Sequence, residues 1–597
     1  MRPSLPPRPD HRVAAAALLA AVTLIPYLPA LSGGFVWDDD AYVTRNAALR
    51  SLGGLVAIWF EPGAVPQYYP LTFSSLWLDF HLWGLQPAAY HAVNLLLHAL
   101  GAVLLWRVLA YLQLPGAWAA AAVFALHPVQ VESVVWISER KNVLAGVGAL
   151  GALLAYLRFV DAVPPARRRW YALSLTLFAA ALLAKTVICS LPAVLCLILW
   201  WKRGRLGRAD VASLLPHFAL GAVLAAVTVW MERHHVGATG VDWQLSFVER
   251  CLIAGRALWF YAATLVWPVG LTFIYPRWQI DPTIWWQYLY PAAALVVLGA
   301  LYGMRRRFGR GPLVCVLIFA GTLLPALGFF DVFPMRYSFV ADHYQYLSSI
   351  GLIVLAVVGA ARLCQERGEA AVRFGMGTLA VVLVIFGELV WRQAMIYRDG
   401  ETLWRDTLAK NPNAWMAHNN LGLLLFDRGR IDEAIGQYEA ALRIKQNDDF
   451  AYNNLGNAFA AQSDMARAEH NFVAALAIAP DNAEAHNNLG NVLAGRSQWT
   501  DAAQQYEAAL RANPRYADAH NNLANVLAVR GEGDAAVAQY REALRIDPTY
   551  AEAHYNLAVV LAGRGDKDAA IDELHAALRL RPDYPDARKE LDSLLLP

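Results

Sequence analysis

The sequence predicts an all-α protein in two parts: a polytopic helical membrane domain over residues 1–395 and a helical solenoid of repeats over residues 396–597. Three observations carry this. First, 57% of the 597 residues are hydrophobic and only 16% are charged. The mean hydropathy is +0.33, too apolar for a water-soluble chain of this length. Second, the charges are unevenly placed. Residues 1–395 are dominated by Leu, Ala, Val and Trp runs, whereas residues 396–597 read as water-soluble helix. Third, the second part repeats itself with a period of 34. A net charge of +2 with no clustered basic face gives no nucleic-acid footprint. Cys189, Cys196, Cys251, Cys315 and Cys364 follow neither zinc nor disulfide spacing, so they read as small buried hydrophobes.

The first element is the apolar run 13–32, behind a Pro-rich start bearing Arg2, Arg8 and Arg12. A basic start and an apolar core also suit a cleaved signal. The near-spanning length, with more spans following, favours an uncleaved first helix whose N-terminus is cytoplasmic. Residues 33–90 then form a loop with only Arg45 and Arg50 as basic residues, which the positive-inside rule places outside. It opens on Phe35-Val36-Trp37-Asp38-Asp39-Asp40, and residues 76–83 are amphipathic, suited to the interface.

Further spans follow at 91–110, 116–135, 142–160, 170–184, 186–201 and 211–231. Arg167-Arg168-Arg169 and Lys202-Arg203-Gly204-Arg205 come out cytoplasmic. A full span at 249–269 would turn Arg305-Arg306-Arg307 outward, so that segment, carrying Arg256, reads as re-entrant or interfacial. Spans at 287–304, 311–330, 347–363 and 374–394 complete eleven crossings. They put the C-terminal part on the external side with the acidic triplet; twelve crossings would make it cytoplasmic.

The repeat period runs through Pro480, Pro514, Pro548 and Pro582, and through the pairs Asn419-Asn420, Asn453-Asn454, Asn487-Asn488 and Asn521-Asn522. Such a period, with fixed Ala, Gly, Leu and Tyr positions, is the tetratricopeptide (TPR) signature. It predicts five full units over 412–581 between a half unit and a terminal helix, stacked into a solenoid with a concave face.

Several further stretches stand beside these features: Tyr69-Pro70-Leu71-Thr72, His91 to His98, His127-Pro128-Val129-Gln130-Val131-Glu132-Ser133, Arg140-Lys141, Ala184-Lys185-Thr186 and Ala341-Asp342-His343-Tyr344-Gln345-Tyr346. With the acidic loop and the repeats, the chain resembles the transmembrane and tetratricopeptide repeat-containing O-mannosyltransferases, polytopic glycosyltransferases of the GT-C fold. The resemblance implies a polyprenyl-phosphate sugar donor, a catalytic acid in the first external loop with Asp38 as base and Asp39 as its partner, and an exported polypeptide as acceptor. Tyr69 and His343 stand where the family often has arginine, which removes two fixed positive charges.

Glycosyl transfer to a Ser/Thr hydroxyl needs a proton acceptor, and clustered carboxylates raise one another's pKa. Three acids also have the chemistry to hold a divalent cation through hard oxygens. A lipid phosphate leaving group needs cations, for which Arg140, Lys141, Lys185, Arg336 and His343 are the candidates; each has snorkelling as its bland alternative. His91, Asn94 and His98 share one helix face, either lining the donor cavity or bonding between helices. Glu132 flanks the second external loop. The resemblance suggests a cavity role for Asp342 and Tyr344, against simple helix capping by Asp342. Asn420, Asn454, Asn488, Asn522 and Asn556 form a ladder able to bind a peptide backbone, or to tie helices together. The Ala- and Arg-rich composition suggests a bacterial inner membrane with periplasmic repeats. The competing readings are a non-enzymatic membrane-anchored scaffold and a transferase acting on glycan or lipid; eleven spans are more than an anchor needs.

Overall fold

The computed structural model describes residues 9–236 and 243–596. Arg2 and Arg8 of the basic start lie outside the described residues. Two compact units result, residues 1–412 and 413–597. Among the described residues every regular element is helical.

In the first unit, eight helices are long and apolar enough to cross a membrane, or nine when a bent pair counts as one span. That pair, Ala117–Leu126 and Pro128–Val135, is bent by 57°. Pro128 lacks an N–H and disfavours helical His127 before it; His127 is accordingly extended, at ψ 127°, and its Nε2 lies 2.9 Å from the Leu265 carbonyl oxygen. The other two expected spans are helices as well. Ala166–Ala184 carries three arginines in its first turn, and Gly311–Ala326 is a shorter apolar helix. The segment read as re-entrant is a continuous 20-residue helix, Phe247–Val266, opened by a Ser246/Glu249 capping box. It packs so tightly that a Cβ on Gly255 would sit 2.5 Å from the Pro291 nitrogen.

The helices Arg140–Asp161, Ala166–Ala184 and Leu191–Arg203 enclose the main apolar core, with Tyr156, Phe178 and Leu195 fully buried. The helix Glu369–Ile396 instead exposes Phe374 and Val384, the composition of a lipid-facing surface. In the loop after the first long helix, Pro70–Trp83 buries Phe73, Leu76 and Asp79 and exposes Leu78, Leu82 and Trp83; both sides are largely apolar and the acid is on the buried one, so the segment expected to be amphipathic over 76–83 has no polar outer face.

The helix Gly400–Lys410 belongs to this unit. Asn411 Nδ2 donates to Ile274 O at 3.1 Å, Lys410 Nζ to Leu271 O at 2.8 Å, and Gly34 N to Arg398 O at 2.8 Å. Residues read as a half repeat therefore tie the acidic loop to the membrane unit.

The second unit contains five helix pairs, from Trp415–Asp427 with Ile431–Ile444 to Ala551–Gly563 with Lys567–Leu580, then Pro585–Leu595. Ala434, Ala468, Ala502, Ala536 and Ala570 are fully buried, as are the alanines seven residues later. Gly422, Gly456 and Gly490 allow Tyr438, Phe472 and Tyr506 to press in; a Cβ would come within 2.6 Å of each ring.

Candidate active site

The acidic loop is held by backbone constraint and aromatic packing. Trp37 has φ 46°, a left-handed conformation costly for a bulky residue. Four rings fix it: Trp136 stacks at 5.6 Å and 16°, and Phe273, Trp404 and Tyr337 meet it edge-on at 5.4, 5.9 and 6.5 Å. The turn then separates the three carboxylates. Asp39 turns inward, where Oδ2 accepts from Val36 N at 2.9 Å and Oδ1 from Ser138 N at 2.8 Å. Asp40 is exposed and accepts from Thr44 Oγ1 at 2.7 Å. Asp38 lines a cavity of about 430 Å³. The carboxylates diverge, so the triplet does not form a cation cage. Among the described residues no group of three His, Cys, Asp or Glu could hold a metal ion. Asp39 positions the loop, and Asp38 alone of the three reaches the cavity.

Enclosure pushes the Asp38 carboxyl from 3.8 up to about 6; Lys141 and His343 pull it down, while Glu139 pushes it up. Burial likewise takes Asp39 up to about 7, against the restraint of its two amide donors. The main-chain oxygen of Asp38 accepts from Tyr42 N at 2.9 Å, but its carboxylate accepts no hydrogen bond among the described residues, so both carboxylate oxygens are available to a substrate proton.

The cations of the cavity come from two helix ends. The start of the helix Arg140–Asp161, preceded by the turn Ile137–Glu139, spreads four polar residues about its axis. Glu139 binds Lys141 Nζ at 2.9 Å and Lys185 Nζ at 3.2 Å, and accepts from Asn142 Nδ2 at 2.7 Å. One buried carboxylate thus aligns two ammoniums, a charge-assisted arrangement that satisfies ions which would otherwise be costly to bury. Lys185, between two helices, also donates to Asn142 Oδ1 at 2.8 Å. Burial pulls its pKa down and Glu139 pulls it back. His343 completes the set: Glu132 accepts from its backbone N–H at 3.0 Å and lies 3.0 Å from Nδ1. Lys141, Lys185, His343, Glu132 and Tyr344 all line the cavity.

Other expected site residues do not. Arg140 is fully buried; it pairs with Asp79, donates through Nε to Asn94 Oδ1 at 2.8 Å, and donates through Nη2 to Tyr90 O at 2.9 Å. A helix turns about 100° per residue, so Arg140 and its neighbour Lys141 face different surroundings. Arg336 lies over the rings of Phe333 and Tyr337 and outside the cavity wall. His91 is buried beneath the loop, 3.1 Å from the place a Cβ on Gly33 would take. Asn94 serves Arg140, and His98 lies between Tyr346 Oη at 2.9 Å and Ala125 O at 3.0 Å. Asn94 and His98 therefore bond helices together, both ring nitrogens of His91 are buried without a hydrogen-bond partner among the described residues, and none of the three lines the cavity. Asp342 is buried and accepts from Tyr275 Oη at 3.0 Å; burial pushes its pKa well up.

A second cavity, of about 290 Å³, is walled by apolar side chains of five helices, among them Leu109, Leu153, Ile198, Ile318 and Val354, with Arg310 and Arg362 also in its lining. Val187, His343 and Tyr344 line both cavities. At this junction the Tyr344 hydroxyl is buried without a hydrogen-bond partner among the described residues.

In the repeats, Asn454 Nδ2 donates to Asn419 Oδ1 at 3.0 Å, Asn488 to Asn453 at 3.1 Å, Asn522 to Asn487 at 3.0 Å and Asn556 to Asn521 at 3.2 Å. The ladder joins successive units. Asn420, its first member, has Nδ2 buried without a partner among the described residues. The carbonyls of Asn488 and Asn522 also accept, from Asn487 Nδ2 at 3.5 Å and Asn521 Nδ2 at 3.4 Å, and Asn522 Nδ2 donates a second time, to Asn491 Oδ1 at 3.1 Å; Asn454 and Asn556 keep one N–H and the carbonyl.

Glu139, Asn142, Gln67, Glu232, Trp37 and Trp136 were not picked from the sequence. Glu139 directly precedes Arg140-Lys141, and an acid beside two candidate cations was the available signal. Glu232 opens the polar cluster Glu232-Arg233-His234-His235 at the end of a span.

Comparison with known proteins adds relatives. The family models "Tetratricopeptide repeat" match residues 453–498, 489–551 and 530–591, and "TPR repeat" matches 422–463. The chain is 26% identical over 494 residues to "Protein O-mannosyl-transferase TMTC1" of Homo sapiens, covering 72% of this chain and 55% of the relative. It is 24% identical over 452 residues to "Protein O-mannosyl-transferase F38B6.6" of Caenorhabditis elegans, covering 72% and 62%. It is 26% identical over 500 residues to "Protein O-mannosyl-transferase TMTC4" of Homo sapiens, covering 70% and 65%. The chain thus spans 55–65% of these relatives' own length. Among solved structures, the TPR protein YrrB aligns at 24% identity over 32% of this chain and 97% of its own, with a TM-score of 0.27. The chain is thus similar to the transmembrane and tetratricopeptide repeat-containing O-mannosyltransferases across 72% of its length, and residues 422–591 carry tetratricopeptide repeats.

Proposed function

We propose that the protein is a membrane glycosyltransferase that moves one sugar, mannose by its relatives' names, from a polyprenyl phosphate to Ser/Thr hydroxyls of exported polypeptides. One observation carries the reading: Asp38 shares a cavity with Lys141, Lys185 and His343, and that cavity shares a wall with an apolar groove. The lipid tail lies in the groove, and its phosphate passes the junction at His343 to meet the Lys141 and Lys185 ammoniums in the cavity. Asp38 takes the proton of the acceptor hydroxyl as its oxygen attacks the anomeric carbon. The bond from that carbon to the phosphate oxygen breaks, and the departing phosphate charge is held by the ammoniums that Glu139 aligns. The repeats bind the acceptor chain along the asparagine ladder, through groups such as the N–H and carbonyl that Asn454 and Asn556 leave free. Charge topology favours the acidic loop and the repeats on one external side, the periplasm of a bacterial inner membrane.

The test is transfer by the purified protein from a polyprenyl-phosphate sugar to a Ser/Thr peptide. Wild type should transfer, and Asp38→Asn should lose about 10²–10⁴-fold in kcat, the usual contribution of a positioned base. Equal rates in the two proteins would remove Asp38 from the mechanism.

A further inference from the structure

We propose that Glu232 and Gln67 form the subsite that reads the hydroxyls of the transferred sugar, an inference that rests on the function proposed above. The cavity has two unlike ends. His343, Tyr344 and Val187 form one end, shared with the apolar groove. A lipid-linked donor whose tail lies in that groove therefore enters there, with its phosphate first. Glu232 and Gln67 line this cavity and not the groove, so they lie where the part of the donor beyond the phosphate must go.

Their chemistry suits a polyol. Glu232 is 5% exposed and forms no ion pair among the described residues. Its Oε1 accepts from Gln67 Nε2 at 3.0 Å, and its Oε2 accepts from Phe333 N at 3.2 Å. A carboxylate offers about four acceptor positions, so roughly two are left over. A buried carboxylate without a cation is costly to maintain, and hydroxyl donors from a bound sugar would satisfy it with short charge-assisted bonds. Gln67 is itself fixed, since its Oε1 accepts from Tyr42 Oη at 2.7 Å, and that oxygen accepts from Lys141 Nζ at 3.1 Å. Hydrogen bonds thus run without a break from the phosphate-binding cation to Glu232. The cavity wall is otherwise rich in aromatic rings, with Trp37, Trp136, Tyr337 and Phe333 all lining it. Apolar ring faces with a few fixed polar groups are the usual make-up of a small-ligand site.

Two roles are open to Glu232: holding the segment at Phe333, or selecting the sugar. A ratio between sugars separates them, because a purely structural loss lowers transfer of every sugar alike. The experiment uses the full-length protein in nanodiscs with polyprenyl phosphates carrying mannose, glucose or galactose; mannose and galactose each differ from glucose in the configuration of a single hydroxyl. In Glu232→Gln and Gln67→Ala, the kcat/KM ratio between preferred and disfavoured sugar should fall by about 10- to 100-fold, the range for a lost hydrogen bond to a charged group. Inhibition by sugar-free polyprenyl phosphate should stay unchanged, and the melting curve of each variant checks its folding. An unchanged ratio in a folded variant, with wild type active, overturns the proposal and leaves the transferase reading standing. Absence of transfer by wild type from every donor overturns both.

Discussion

Arg140 and Lys141 are adjacent, and the sequence offers them as equal candidates for a phosphate. The helix turn decides between them, sending Lys141 to the cavity and Arg140 into a buried pair with Asp79. The same holds for Asp38, Asp39 and Asp40: residue type was legible, but direction was not, because it depends on the φ 46° turn at Trp37. Glu139 escaped notice because its value lies in bridging Lys141 to Lys185, a contact across 46 residues of sequence. The buried pair gives a sharp expectation. Arg140→Met leaves Asp79 charged and unpartnered, and should cost about 3–5 kcal/mol of stability. Donor KM in the folded fraction should be unchanged. Thermal unfolding and donor titration of the same sample check this, and a raised donor KM would return Arg140 to the phosphate site.

At the level of elements, the repeat unit was the most legible part of the chain, since a 34-residue period fixes both helices and the small residues between them. The asparagine ladder was legible as a row but not as a bond pattern, because its partner lies 35 residues back, on the first asparagine of the preceding pair. Asn453→Ala should leave Asn488 Nδ2 without its acceptor and cost about 1 kcal/mol, read as a lower urea midpoint for the repeats. An unchanged midpoint would free the ladder from a structural role. Alanine at Asn454, Asn488 and Asn522 should in addition raise acceptor KM while donor hydrolysis persists. In the membrane unit the apolar runs marked the helices well. The 57° break at Pro128 was not read, since proline is also tolerated within spanning helices when neighbours satisfy the freed backbone groups.

At the scale of the molecule, composition alone separated an apolar part from a soluble one. The junction is subtler, because Gly400–Lys410 reads as soluble helix and yet packs with the membrane unit, where Trp404 meets Trp37. Eleven crossings require the bent pair, Ala166–Ala184 and Gly311–Ala326 to span together with the eight long helices. A periplasm-only reporter fused after Pro597 should then be active; activity of only a cytoplasmic reporter would require twelve. The central claim is that Asp38 is the base of the whole assembly, and the pH dependence of transfer tests it most directly. With its carboxyl pushed up to about 6, Asp38 holds a proton below that pH and accepts one above it. Wild-type kcat/KM should therefore fall as pH drops through about 6, and Asp38→Asn should lose that limb together with about 10²–10⁴-fold of the rate. A variant that keeps both the wild-type rate and the same acid limb would contradict the account.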